Sequence, residues 1–365
     1  MYLSVLIRSL SLVITLCLLA ACSADDNSPF SEEIDTDKIY RWKMVTAWPP
    51  GFPVLQEGAE RFAENLKAMS NGRLQVKVFA GGELIPALQT FDAVSQGTVE
   101  MGHGSAYYWA GKVPEAQFFS TVPFGMTPRG MNAWLYHGNG LALWREVYAP
   151  YNVIPFPLGN TGIQMGGWFN QEIHSVADLQ GLKMRIPGLG GKVFAKAGGN
   201  PILLAASEVY TALERNTIDA TEWISPYHDH RLGLYRAAKN YYYPGWQEPG
   251  AVLELNINTR AWESLPPDLQ AIIENAARAE NMLIASEMEQ KNALALAQLR
   301  QRNDINIAPF PADVMETLKQ LTKQTLDDEA AQNPKFKRVY DAYEQFRRQD
   351  EDWSTISEKA YLAIP

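Results

Sequence analysis

The chain of 365 residues is poor in the side chains that do covalent or metal chemistry, with two cysteines, Cys17 and Cys22, and five histidines, at 103, 137, 174, 228 and 230. The histidines form no His-Glu metal motif, and no G-x-S-x-G elbow is present. His228-Asp229-His230 places two imidazoles two residues apart, which on a helix do not share a face, so it reads as surface rather than as a ligand cluster. A phosphate loop is absent because Val193, not Ser or Thr, follows Lys192, and the dinucleotide pattern lacks its third glycine, where Phe194 or Ala195 stands. Positive charge is also short: 32 Lys and Arg against 41 Asp and Glu give a net charge of −9. Nucleic-acid binders carry a basic face, so that class is excluded, whereas a small anionic ligand answers to its local site and is not. After the first residues there is no apolar run long enough to span a bilayer, and no internal repeat or low-complexity tract.

What is present describes a folded protein. Hydrophobic residues make up 46% and tryptophans number ten, and the length suits two lobes better than one. Arg8 precedes an apolar run over residues 10–21, too short to cross a membrane, which reads as a signal segment covering residues 1–22. It ends in Leu19-Ala20-Ala21-Cys22, similar to a bacterial lipobox, so cleavage before Cys22 and a lipid on its thiol are expected. Cys17 lies in the removed part, which leaves no disulfide and no thiolate metal site. Residues 23–38 are acidic and polar, a flexible tether, and residues 39–365 form the domain proper. Ser23 leaves open which membrane holds the anchor.

Along that domain, Tyr40, Trp42 and Met44 alternate as a strand; Leu55, Ala59, Phe62, Ala63, Leu66 and Met69 recur at helical spacing; Leu74, Val76 and Val78 alternate again. Strand, helix, strand calls for a parallel pair and an α/β fold. A short strand is expected near 99–102, with Tyr107 and Tyr108 directly after it, where ligands bind in open α/β sheets. One helix is expected over 131–148 and strands over 153–158 and 163–169, with Gln164 at the start of the latter. Residues 241–247 read as strand-edge material leading into a strand over 252–257. An uninterrupted amphipathic helix over 267–302 is long enough to run across both lobes. A strand over 304–308 and helices over 312–330 and 335–360 follow.

The most informative stretch is 178–194. Leu182, Met184 and Ile186 alternate with Lys183 and Arg185, and Pro187-Gly188 ends the strand before a helix opened by Gly190-Gly191. Arg185 thus sits at a strand-to-turn edge, where its planar fork suits a carboxylate and stays charged when desolvated. The residue-level alternative is a surface ion pair, and Glu222 by itself would also be read as surface.

Residues 175–188, S-V-A-D-L-Q-G-L-K-M-R-I-P-G, resemble the signature of the solute receptors of tripartite ATP-independent periplasmic (TRAP) transporters. The resemblance runs from about Tyr40 onward. E-V-Y-T-A-L-E-R-N-T-I-D-A-T-E-W, at 208–223, is most similar to the 2-oxo-acid and lactate receptors. It implies a two-lobed periplasmic-binding-protein-like fold and an extracytoplasmic receptor, not an enzyme, that hands a small 2-oxo or 2-hydroxy carboxylate to two integral membrane subunits. Arg185 would clamp the carboxylate, with Tyr107, Tyr108, Gln164, Glu222 and Trp223 lining the cleft. Two negative charges sharing one arginine require either a neutral Glu222 or a cation. The resemblance implies a sodium or calcium ion bound together with the substrate by Glu222, the Trp223 carbonyl and a glutamine, Gln164 before Gln247; these are hard oxygen donors suited to such ions. It also implies a homodimer through an exchanged terminal helix. An enzyme acting on a small organic acid, or the ligand-binding part of a sensory system, are the alternatives.

Overall fold

A computed structural model describes residues 38–364; the signal segment, Cys22 and most of the tether lie outside the described residues. In the first sheet, β1 (Tyr40–Thr46), β2 (Leu74–Phe79) and β3 (Met101–Gly104) run parallel, as the strand-helix-strand opening requires. The helix Leu55–Met69 makes the crossover and buries Leu55, Ala59, Phe62, Ala63 and Leu66. The chain then passes through two helices into β4 (Val153–Asn160), which pairs antiparallel with the much later β10 (Val252–Asn258). The sheet order is β2-β1-β3-β10-β4.

The second sheet belongs to the other lobe. It is built from β5 (Gly167–Phe169), β6 (Lys183–Arg185), β7 (Asn200–Ile202), β8 (Ala220–Thr221), β9 (Asn240–Tyr243) and β11 (Asn306–Pro309), in the order β11-β9-β5-β8-β6-β7. Among the described residues the chain passes between the two sheets three times, and between the lobes a fourth time after β11, where the helix Ala312–Gln332 packs on the second lobe and Pro334–Ile356 returns to the first. Two crossings are the loops 161–166 and 244–251, and the third is the helix Pro267–Arg300 on its way to β11. That helix has 34 residues, about 50 Å at 1.5 Å per residue. It packs on β4 and Leu55–Met69 in the first lobe and on the helix Pro226–Leu232 in the second, so the two lobes are interleaved over one spine.

Several expectations need correction. The helix over 131–148 is two helices, Pro128–His137 and Gly140–Tyr148, because Asn139 turns left-handed at φ 69° and ends the helical run. The third strand begins at Met101 rather than near 99. Of the strand over 163–169 only Gly167–Phe169 pairs, and Gln164 lies in the first crossing loop. His228 and Asp229 are buried rather than on the surface. His228 stacks on Phe52 at 4.9 Å, and Asp229 accepts from Trp168 Nε1 (3.0 Å), Tyr241 OH (2.8 Å) and Ile224 N (3.2 Å). Both serve packing. The terminal helix Pro334–Ile356 lays Phe336, Val339 and Tyr343 on its own chain, against Phe118 and Trp134, and its far end leaves Trp353 and Ile356 exposed.

Candidate functional site

The parallel register of β6 and β8 sets Arg185 opposite Thr221, so Glu222 and Trp223 leave the sheet beside Arg185 at the carboxyl ends of two parallel strands. That edge is where open α/β sheets bind ligands. Arg185 is 1% exposed and Glu222 fully buried, so the surface reading of either is wrong. Arg185 Nη1 forms an ion pair with the Glu222 carboxylate and also donates to the Glu222 carbonyl at 3.2 Å. Its Nε donates to Leu204 O at 3.4 Å, and the guanidinium lies 4.7 Å from the centre of the Trp223 ring.

The crossing loops supply the next layer. They are fastened to each other by backbone bonds, Gln164 N to Glu248 O (3.2 Å) and Gly245 N to Gln164 O (2.8 Å). Through them Gln164, Gln247 and Glu248 stand between the lobes. Gln164 Nε2 donates to Glu248 Oε2 at 2.7 Å, and Gln247 Nε2 to Met165 O at 2.9 Å. From the first lobe come Tyr107 and Tyr108. The Tyr107 hydroxyl is 3.5 Å from Glu248 Oε2, and Tyr108 lies against Trp48 with ring centres 6.3 Å apart. Gly188, at φ +60°, lets the Arg185 turn approach the first lobe, since a Cβ there would stand 2.9 Å from Tyr107 Cβ. Tyr107, Tyr108, Ile186, Pro187 and Leu203 line an open groove of ≈ 320 Å³ whose walls do not include Arg185, Glu222, Trp223, Gln164 or Gln247. A larger groove of ≈ 670 Å³ by Trp42 and Asn258 contains none of the site residues.

The sequence-predicted residues Arg185, Glu222, Trp223, Gln164, Gln247, Tyr107 and Tyr108 therefore meet at one place. Glu248 was missed. Nothing in its local sequence marks it, because its partner Gln164 is 84 positions away.

The site is short of positive charge. Burial pushes the Glu222 carboxyl up to about 7, outweighing the pull of Arg185. Glu248 is also raised well above its usual range, by burial and then by the charge of Glu222. Burial works against the Arg185 charge, but Glu222 and the two tyrosines restore it and leave the guanidinium above its usual value. Burial also lifts Tyr108 to about 12.

Five buried polar atoms at this place have no hydrogen-bond partner: the acceptors Gln164 Oε1, Glu222 Oε2 and Gln247 Oε1, and the donors Arg185 Nη2 and Trp223 Nε1. Each buried unpaired polar group costs about 1–3 kcal/mol, so their convergence calls for a ligand that supplies both kinds of partner. The three oxygens are the hard donors an alkali or alkaline-earth cation takes, and the two N–H groups suit a carboxylate. Among the described residues no three His, Cys, Asp or Glu side chains cluster as a metal site. A cation here would rest on amide as well as carboxylate oxygens, and that donor set fits sodium or calcium rather than a transition metal.

Residues 44–333 match the family described as bacterial extracellular solute-binding protein, family 7. Over 321 residues, 88% of each chain, the sequence is 44% identical to a monocarboxylate 2-oxoacid-binding periplasmic protein of Nostoc sp.. A TRAP periplasmic solute-binding protein of Pseudoalteromonas atlantica, solved with bound sodium and pyruvate, is 40% identical with a TM-score of 0.88, covering 90% of this chain and 100% of that one. A TRAP transporter solute-binding protein of Bordetella bronchiseptica is 38% identical with a TM-score of 0.87, covering 89% and 96%. Its structure is a mixed-occupancy dimer with copurified calcium and picolinate in one active site. The chain belongs to this family, the solute receptors of TRAP transporters.

Proposed function

We propose that this receptor binds a small 2-oxo or 2-hydroxy carboxylate together with a calcium or sodium ion in the cleft between its lobes, and releases it unchanged. The observation that carries this reading is the set of five unpaired atoms, in which acceptors and donors are both present around one buried arginine. Arg185 holds the carboxylate through Nη2, and Trp223 covers the guanidinium face and offers its indole N–H. Gln164, Glu222 and Gln247 hold the cation, with the Trp223 carbonyl as a further oxygen. When bound, the ion supplies the positive charge that two carboxyls and a substrate anion lack beside a single guanidinium. Tyr107 and Tyr108 close the site from the first lobe and exclude water.

Relatives at about 40% identity hold pyruvate with sodium, or picolinate with calcium, which supports the same chemistry here. Among the described residues no helix is long and apolar enough to cross a membrane. Passage across it falls to partners, two integral membrane subunits of the TRAP type. Residues 1–22 act as an export signal and Cys22 as the site of a lipid anchor.

The test is calorimetric titration of pyruvate into chelator-treated protein in sodium-free buffer, repeated with calcium and with sodium. Tighter binding with one ion, lost in Glu222→Gln, is the expected result, and the pyruvate is recovered intact. Equal affinity in all three buffers rejects the cation.

A further inference from the structure

Gln164 can serve a cation only through its oxygen, and a glutamine amide has the same shape whichever way it is turned. What sets its orientation is the polarity of its neighbours. The Gln164 amide nitrogen touches two groups, Glu248 Oε2 at 2.7 Å and Thr161 Oγ1 at 3.0 Å. The Thr161 hydroxyl already donates to Gly162 O at 3.1 Å and accepts from Ala251 N at 3.1 Å. It can therefore meet the amide only as an acceptor, and so does Glu248 Oε2, which also takes the Tyr107 hydroxyl at 3.5 Å and leaves a proton, where the raised carboxyl carries one, on Oε1. Both neighbours demand N–H on their side, and the oxygen is turned to the open side, where it is unpaired.

The backbone leaves no other freedom. Gln164 N and O are both held by the second crossing loop, at Glu248 O and Gly245 N, and Gln164 and Glu248 are each 2% exposed. A turned amide would set its oxygen against Glu248 Oε2 and Thr161 Oγ1, both acceptors, and its N–H groups against the cation.

We propose that Glu248 is a positioning residue: by accepting from Gln164 Nε2 it fixes the Gln164 amide oxygen toward the cation and so sets cation affinity without needing to touch the ion. This rests on the cation reading above. Partners that orient a metal ligand change metal affinity about 10–100-fold when removed.

The experiment compares two neutral replacements by calcium calorimetry in saturating pyruvate, with thermal melting as the check on folding. Glu248→Gln and Glu248→Met both delete the charge, and only Gln keeps an acceptor for the amide. Glu248→Met is expected to bind calcium at least about tenfold more weakly than Glu248→Gln; equal affinities overturn the proposal. Wild-type protein that binds neither calcium nor sodium would instead remove the cation reading, and this inference with it. If Glu248→Met does not fold, the exchange variant Q164E/E248Q decides. It keeps the net charge and reverses donor and acceptor between the two side chains, with the Thr161 hydroxyl turning from Gly162 O to donate to the new carboxylate at 164, so its calcium affinity stays close to wild type, whereas Q164E alone sets two carboxylates together and loses it. An exchange variant no better than Q164E overturns the proposal.

Discussion

Replacing Arg185 with alanine separates what the arginine does for the fold from what it does for the ligand. In the folded protein Glu222 titrates near 7 with Arg185 beside it, above its ordinary 4.5. The raised value means that the contribution of Glu222 to stability is full below about 4.5 and declines as pH rises toward 7. Without Arg185 burial holds the carboxyl neutral to still higher pH, so below 7 the variant and the wild type bear nearly the same cost. Above 7 the wild type stops losing stability while the variant continues, and the deficit widens by about 1.4 kcal/mol per pH unit. A small 2-oxo acid has no such escape, because its carboxylate stays ionised across that range. Binding should fall by about 2–5 kcal/mol, roughly thirtyfold to several thousandfold, at pH 6 and pH 8 alike. Urea denaturation and pyruvate calorimetry at both pH values measure the two effects. Near-native affinity in Arg185→Ala removes the arginine from the site, and a stability deficit independent of pH from 6 to 9 refutes the ion-pair argument. Arg185→Lys should also bind weakly, since it keeps the charge and loses the fork.

Glu254 lies in the core of the first lobe, accepting from Tyr148 OH (2.9 Å) and Asn256 Nδ2 (2.7 Å), and burial raises its carboxyl to about 8. Stability it contributes below about 4.5 is lost as pH rises to 8. Glu254→Gln should remove that slope and melt higher than wild type at pH 8, because the unpaired Asn256 Oδ1 can turn to accept the new amide; an unchanged slope in circular-dichroism melts sinks the assignment. We also expect a homodimer through the terminal segment, where Trp353, Ile356, Tyr361, Leu362 and Ile364 are all exposed. Light scattering of a chain ending at residue 351 should give half the mass, and the same mass rejects that role. Radiolabelled palmitate should enter the wild type and not Cys22→Ala, and equal labelling would exclude Cys22 as the anchor.

The elements legible in the sequence are those whose burial pattern is local. β1 alternates up to Met44, β2 buries Leu74 and half-buries Val76 and Val78, and the helix between them and the 34-residue spine bury helically spaced residues. The break carries a turn signal in Gly138-Asn139-Gly140, masked by the apolar spacing that continues through it, and the left-handed Asn139 ends the first helix there. Arg185 and Glu222 were legible as a pair through the resemblance of their two segments. Their direct ion pair depends on the parallel register of β6 and β8, which spacing does not encode. His228 and Asp229 were misread because the buried face of so short a helix is chosen by distant neighbours, Phe52, Trp168 and Tyr241.

Asp229 and Glu222 show why burial alone does not identify a site. Both are carboxyls with at most 1% exposure in the second lobe, and burial raises both, Asp229 to about 6. Asp229 meets three donors, one from each of Trp168, Tyr241 and Ile224, and has an internal partner for each oxygen. Glu222 spends one oxygen on Arg185 and leaves Oε2 unpaired among other unpaired atoms. Since an unpaired buried oxygen costs about 1–3 kcal/mol, a fold that keeps several together bears a cost that only binding offsets. The saturated carboxyl is architecture, and the unsaturated one keeps an oxygen open for the ligand proposed above.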